Sequence, residues 1–142
     1  MNLSPHFTLA ELTVSQTASR KGLDNTPPPD ALANLKRTAL GLEAVRIMLG
    51  APISISSGYR SPAVNKAVGG AVNSQHLTGQ AVDLICPGFG KPERVVKAIL
   101  ASGLKFDQVI VEFDAWVHLS FSDTPRMQAL IIDRKGTRPF TC

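Results

Sequence analysis

The chain has 142 residues, of which 44% are hydrophobic and 18% are charged, and its formal net charge is +4. This composition predicts one globular domain and excludes a disordered polar chain. We expect no nucleic-acid partner, because the basic residues are scattered and the chain has one Trp and one Tyr to stack on bases.

Helical patterns occur in four segments. The first opens with a capping box of the form T-x-x-E, and the longest has apolar residues at three- and four-residue steps followed by a candidate C-cap glycine. The third begins with Ser-Pro, an N-cap followed by proline at the first helical position. These patterns predict helices that begin near residue 8 and span residues 30–49, 62–67 and 92–101.

Alternating or continuously apolar runs predict the strands. They span residues 53–56, 81–85, 109–113, 116–121 and 128–133. The third and fourth form a hairpin. The last is interpreted as an edge strand, although its even hydrophobicity leaves a helix open as the alternative. Helices followed by closely spaced strands predict an α+β fold, a single domain with a small antiparallel sheet and helices on one face.

Three residues form the pattern of a catalytic zinc site. Residues 74–83 read S-Q-H-L-T-G-Q-A-V-D and residues 116–118 read W-V-H. His76, Asp83 and His118 supply three ligands of the types zinc accepts and leave the fourth position open for water, whereas structural sites close with four side chains. Strand alternation puts Asp83 and His118 on the less apolar face, opposite the helices. His76 precedes its strand, in a loop made pliable by Gly79.

Glu112 is the candidate general base. It shares a face with His118 only if residue 112 pairs with 116 or 118, which requires an odd hairpin loop over residues 113–115. A two-residue turn would put Glu112 on the other face and pass the role to Asp114. We predict the odd loop.

These residues resemble the zinc D-alanyl-D-alanine carboxypeptidases, a family that includes D,D-dipeptidases and phage endolysins that cut peptidoglycan stem peptides. The match to S-x-H-x-x-G-x-A-x-D is complete, and an acid, a Trp and a strand-borne His follow. An upstream S-S-G-Y-R-S-P segment contributes Arg60, so the resemblance covers about residues 52–121. One departure concerns the acid, which in many relatives stands three residues before the second His, where this chain has Ala115.

The resemblance implies a single zinc metallopeptidase domain over residues 1–142 that hydrolyses peptidoglycan stem peptides. It implies a D-Ala-D-Ala carboxypeptidase or an endolysin-like endopeptidase, and it leaves open which bond is cut. Glu112 would accept a proton from water activated by zinc, and Arg60 would bind a substrate carboxylate or stabilise the oxyanion. Ser74, Trp116 and Ser120 are further candidate substrate contacts.

The alternative is a catalytically inactive, zinc-containing wall-binding or structural phage module. We expect a monomer of bacterial or phage origin, made in the cytoplasm and acting on the cell wall. The start of the chain lacks a signal-peptide pattern, and no stretch approaches the ~18 apolar residues of a membrane span. The two cysteines form no paired framework, which predicts a buried residue at Cys86 and a loose terminal thiol at Cys142.

Overall fold

A computed structural model describes residues 1–141 of the chain. Within these residues, five α-helices and a 3-10 helix accompany one six-stranded sheet. The helices are α1 (Leu9–Leu12), α2 (Gln16–Lys21), α3 (Pro29–Leu49), α4 (Pro62–Ala67), the 3-10 helix (Gln75–Thr78) and α5 (Pro92–Ser102). The strands are β1 (Ser54–Ser57), β2 (Ala81–Ile85), β3 (Gln108–Glu112), β4 (Trp116–Ser120), β5 (Gln128–Asp133) and β6 (Gly136–Pro139). None of the described helices is both long and apolar enough to cross a bilayer.

The sheet is mixed, so the prediction of an antiparallel sheet was wrong. Its strand order is β1-β2-β4-β3-β5-β6, and β3 pairs in parallel with β5 while every other pair is antiparallel. The link over residues 121–127 passes the start of β3, so β5 begins where β3 begins and runs in the same direction. The prediction that β5 forms the edge was also wrong, because β6 pairs along its outer side.

The two faces of the sheet differ in character, as strand alternation predicts. One face presents aliphatic side chains that are 0–5% exposed, and they join the buried sides of α3 and α5 in a single hydrophobic core. The sheet residues of this core are Val82, Leu84, Val109, Val111, Val117 and Leu119. The other face carries the polar residues, so α3 and α5 cover one side of the sheet and leave the second available for a site.

Local capping explains where several helices begin and end. The Thr8 side chain accepts a hydrogen bond from the Glu11 backbone at 3.1 Å, and Glu11 accepts one from the Thr8 backbone at 3.1 Å. This capping box confirms the predicted start of α1. Gly50 ends α3 in the left-handed conformation, as the sequence predicts. The short helix α2, capped by Ser15, was not predicted.

The hairpin between β3 and β4 has the predicted odd loop. Glu112 pairs directly with Trp116, so residues 113–115 form a three-residue connection. Phe113 and Asp114 both have positive φ, at 53° and 52°. This register puts Glu112 on the same face as His118, which pairs with Ile110 two residues earlier on β3.

The cysteine prediction is confirmed where the structure describes it. Cys86 is 1% exposed, and its thiol lies 3.3 Å from the carbonyl oxygen of Pro52. Cys142 lies outside the described residues.

Gly79 fixes the segment that carries His76 rather than making it pliable. His76 belongs to a 3-10 helix, which Gly79 ends with φ +79°. A Cβ at this position would lie 2.6 Å from the carbonyl oxygen of Ala31. The Thr38 hydroxyl donates to the Gly79 carbonyl at 2.7 Å. The close approach to α3 therefore requires glycine.

Replacing Gly79 by Ala is expected to lower the free energy of unfolding by about 2 kcal/mol, from backbone strain and the clash with α3. Gly103 is a matched control, because its φ is +78° but a Cβ there would meet nothing within 4 Å. Gly103→Ala is expected to cost about 1 kcal/mol, from the positive φ alone. Urea unfolding of both variants measures the difference, and equal losses would contradict the account of the Gly79 contact.

Candidate active site

Three candidate ligands converge on the open face of the sheet. The pairing of β2 with β4 puts Asp83 directly opposite His118, and the 3-10 helix before β2 brings in His76. His76 Nε2 lies 3.3 Å and His118 Nδ1 lies 3.2 Å from the same oxygen, Oδ1 of Asp83. All three residues are buried, and one donor atom from each lies within 4.8 Å of the others.

A backbone contact sets the orientation of the His76 ring. Its Nδ1 lies 2.8 Å from the carbonyl oxygen of Gly58. Since a carbonyl only accepts, Nδ1 carries a proton and donates it to Gly58, which leaves Nε2 as the ring nitrogen that can bind a metal. A Cβ at Gly58 would collide with the backbone of Leu12. Glycine is therefore required at position 58, between β1 and the segment that supports His76.

Asp83 is held in its charged form. Burial raises its pKa, but hydrogen bonds from His118 and His76 outweigh that effect and keep the pKa well below its usual range. Arg60 Nη2 lies 3.5 Å from the second carboxylate oxygen. The cluster thus offers two imidazole nitrogens and an ionised carboxylate, a donor set that suits zinc.

Glu112 lies beside this cluster. Its Oε1 is 3.9 Å from His118 Nδ1, and its side chain is 20% exposed. Burial and the negative charge of Asp83 raise its pKa. A carboxylate with a raised pKa is a better proton acceptor near neutral pH. Asp114, the alternative base, lies exposed on the hairpin loop and does not line the cavity.

A cavity of about 480 Å³ opens over the cluster. It is bounded by the segment before the 3-10 helix, by the polar faces of β3 and β4, and by two arginines. Its lining residues are Arg60, Ala71, Asn73, Ser74, Gln75, His76, Asp83, Gln108, Ile110, Glu112, Trp116, His118 and Arg126. A space of this size can hold a short peptide segment beside the cluster.

Arg60 and Trp116 lie where a substrate could meet them. Arg60 lines the cavity with its side chain 18% exposed, and Ser57 accepts from its Nε at 3.2 Å. The Trp116 ring packs against Phe113, with ring centroids 5.8 Å apart. Trp116 Nε1 is buried and has no hydrogen-bond partner among residues 1–141.

The two serines lie differently. Ser74 lines the cavity, but its hydroxyl accepts from the His76 backbone N–H at 3.2 Å and so caps the 3-10 helix. Ser120 is 0% exposed and does not line the cavity. Its hydroxyl accepts from the Gln108 backbone N–H at 3.0 Å. Ser120 is therefore not accessible to a substrate, and the prediction that it contacts the substrate was wrong.

A buried carboxylate at the start of β3 was missed by sequence reasoning. Asp107 is 3% exposed and accepts from Gln75 Nε2 at 2.7 Å. It also accepts from Nε and Nη2 of Arg126, each at 2.8 Å. Gln75 precedes His76, so this network connects the 3-10 helix that carries His76 to β3 and to the loop before β5. No local sequence pattern predicts this network, because its members are far apart in sequence.

Replacing Asp107 by Asn is expected to reduce the free energy of unfolding at pH 7 by about 2 kcal/mol, because charged hydrogen bonds are lost. Hydrogen bonds from Arg126 hold the pKa of Asp107 well below its usual 3.8 despite burial. Because the pKa is lower in the folded state, the charged carboxylate stabilises the fold fully at pH values above its unfolded-state pKa. This contribution is lost as the pH falls through the folded-state pKa. The gap between wild type and variant should therefore hold from pH 7 to about 5 and narrow by about pH 3. Urea unfolding across this range tests it, and an undiminished gap at low pH would contradict it.

The chain is similar to known proteins over much of its length. It is 39% identical over 80 residues to a protein named zinc D-Ala-D-Ala carboxypeptidase from Streptomyces albus G. The aligned stretch is 56% of this chain and 31% of that relative, so the match spans about a third of the relative's length. Residues 5–120 match the model of the family described as Peptidase M15. This match covers most of the chain and includes His76, Asp83, His118, Glu112 and Arg60, so the chain belongs to the peptidase M15 family.

Proposed function

We propose that this chain is a zinc-dependent peptidase that hydrolyses peptide bonds in peptidoglycan stem peptides. The observation that carries the proposal is the position of Glu112 beside the His76, Asp83 and His118 cluster in one cavity. Membership of the M15 family supports peptide hydrolysis. The similarity to a zinc D-Ala-D-Ala carboxypeptidase supports zinc and a cell-wall substrate.

The three ligands would hold zinc through His76 Nε2, Asp83 Oδ1 and His118 Nδ1, the atoms that face one another. When bound by three protein side chains, zinc polarises a carbonyl and makes water nucleophilic near neutral pH. The Gly58 carbonyl keeps the His76 ring in the required orientation and tautomer. Asp83 enters the site already deprotonated, as metal binding requires.

Glu112 is proposed as the group that moves the proton. As water oxygen bonds to the scissile carbonyl carbon, a Glu112 carboxylate oxygen takes a proton from that water. The same group then delivers the proton to the amide nitrogen as the carbon–nitrogen bond breaks. The raised pKa of Glu112 favours both halves of this transfer at neutral pH.

Arg60 is proposed to bind negative charge on the substrate. Its contacts with Asn65 and Asp83 are long, at 3.5 Å each. Its planar donors therefore remain available to a carboxylate or to a developing oxyanion. A terminal carboxylate at Arg60 would fit a D,D-carboxypeptidase, and an oxyanion role would fit either a carboxypeptidase or an endopeptidase. Trp116 and Ser74 are proposed to line the bound peptide.

The alternative is a zinc-containing wall-binding or structural module without turnover. Such a module would not need an acid on the face that carries the metal ligands. The pairing of Glu112 with Trp116 puts the acid on that face, which favours the enzyme. We propose that it acts on the cell wall as a monomer.

Digestion of purified sacculi, with products identified by mass, tests the proposal. Zinc-loaded protein is expected to release products, and protein treated with a chelator is not. Release of single D-Ala residues would identify a carboxypeptidase, and release of longer or cross-linked stem peptides would identify an endopeptidase. One zinc bound per chain with no cleavage would favour the non-catalytic module.

A further inference from the structure

Arg126 lines the cavity at a place that the proposed zinc chemistry does not use. It lies with Gln108 at the start of β3, whereas Glu112 lies at the end of that strand. Ile110, between them, is level with His118. With a rise of ~3.3 Å per residue, Gln108 and Glu112 are about 13 Å apart along the strand. Arg126 and Glu112, the proposed general base, therefore lie on opposite sides of the three proposed zinc ligands.

A buried carboxylate fixes the Arg126 guanidinium from behind. Nε and Nη2 donate to the two oxygens of Asp107, so one edge of the fork is occupied. Within residues 1–141 the remaining nitrogen, Nη1, has no hydrogen-bond partner, and the Arg126 side chain is 54% exposed. The N–H groups of Nη1 therefore lie on the side of the guanidinium away from Asp107, and Arg126 is one of the residues that line the cavity.

An oriented guanidinium favours an anionic group with a planar pair of acceptors. Because Asp107 holds the side chain in place, a ligand need not order it, which reduces the entropic cost of binding. The negative charge of Asp107 weakens the attraction of Arg126 for an anion, but it does not change the direction of the free N–H donors. Arg60 approaches the cluster from the Asp83 side, so the cavity has two separate cationic groups.

We propose that Nη1 of Arg126 binds a second anionic group of the substrate, a carboxylate displaced along the peptide from the bond that is cut. The identity of the substrate here rests on the proposed function. In a stem peptide with lysine as its third residue, the α-carboxylate of the γ-linked D-glutamate is the one carboxylate apart from the C-terminus. That group is the candidate ligand of Arg126.

Two pentapeptides test this subsite. One is L-Ala-γ-D-Glu-L-Lys-D-Ala-D-Ala, and the other has the D-glutamate α-carboxylate replaced by a carboxamide. Their affinities are measured on zinc-loaded Glu112→Gln protein, which should not consume them, through the fluorescence of Trp116, the single Trp of the chain and a cavity residue. The acid is expected to bind about tenfold more tightly than the amide, the size of one charged hydrogen bond.

Substitution of Arg126 should remove this preference. Arg126→Gln, added to the Glu112→Gln protein, is expected to bring the affinity ratio close to one. Because this change leaves Asp107 buried without its cation, a second protein carries Asp107→Asn as well and keeps the pair neutral. Arg138→Gln is the matched control, because Arg138 donates two hydrogen bonds of 2.9 and 2.8 Å to Asp133 but does not line the cavity. It should keep the tenfold ratio.

Equal affinities in the parent protein, no binding of either peptide, or a preference that survives both Arg126 variants would overturn the subsite. Cleavage of the acid peptide by the wild-type protein reports separately on the proposed function. Hydrolysis with equal affinities contradicts only the Arg126 subsite. A tenfold preference without hydrolysis contradicts only the peptidase.

Discussion

Replacing Glu112 by Gln is expected to slow peptide hydrolysis about a thousandfold, within the range that general acid–base catalysis contributes. Gln has nearly the same shape but cannot take a proton from water or return it to the leaving amine. Zinc content should stay at one per chain, because the three proposed ligands remain. The rate is measured on a defined stem peptide, and the metal by elemental analysis of the same sample.

Asp114→Asn is the matched control for this prediction. Asp114 lies two residues further along the same hairpin, exposed and outside the cavity. Its variant should hydrolyse the peptide at a rate close to that of the wild type. If Asp114→Asn abolished hydrolysis and Glu112→Gln did not, the assignment of Glu112 as the general base would be wrong.

Replacing Asp83 by Asn is expected to weaken zinc binding by at least about 100-fold, since even outer-shell partners of metal ligands contribute 10- to 100-fold. Asn has nearly the same volume, but it lacks the charge that the buried cluster supplies to a cation. Hydrolysis should be lost together with the metal. Competition with a chromogenic chelator measures the affinity.

Asp133→Asn controls for the loss of one carboxylate. Asp133 ends β5 and pairs with Arg138, outside the cavity. Zinc affinity should be unchanged in this variant. Unchanged zinc binding in Asp83→Asn would contradict the assignment of the metal centre.

Local patterns were sufficient to predict the parts of the fold that depend on neighbouring residues. The capping box of α1, the apolar periodicity of α3 and the proline start of α4 all act within one or two helical turns. The position of Glu112 was also predictable, because alternation and the odd loop together fix which face a hairpin residue takes.

Features set by distant contacts were not predictable from the chain. The parallel pairing of β5 with β3 depends on the path of residues 121–127 past the start of β3, which no local pattern encodes. Alternation correctly put Ser120 on the side of His118, but it does not tell how deeply that end of the sheet is covered. There the backbone of Asp107 donates to the Ser120 carbonyl at 2.8 Å, and Ser120 is fully buried.

Stepwise addition of zinc to metal-free protein, with hydrolysis of a defined stem peptide followed at each step, tests the central claim most directly. The rate should rise in proportion to added zinc and reach a plateau at one zinc per chain, and Asp83→Asn should show no such rise over the same range. Hydrolysis that proceeds equally without zinc, or saturation at one zinc per chain with no hydrolysis, would contradict a zinc peptidase centred on His76, Asp83 and His118.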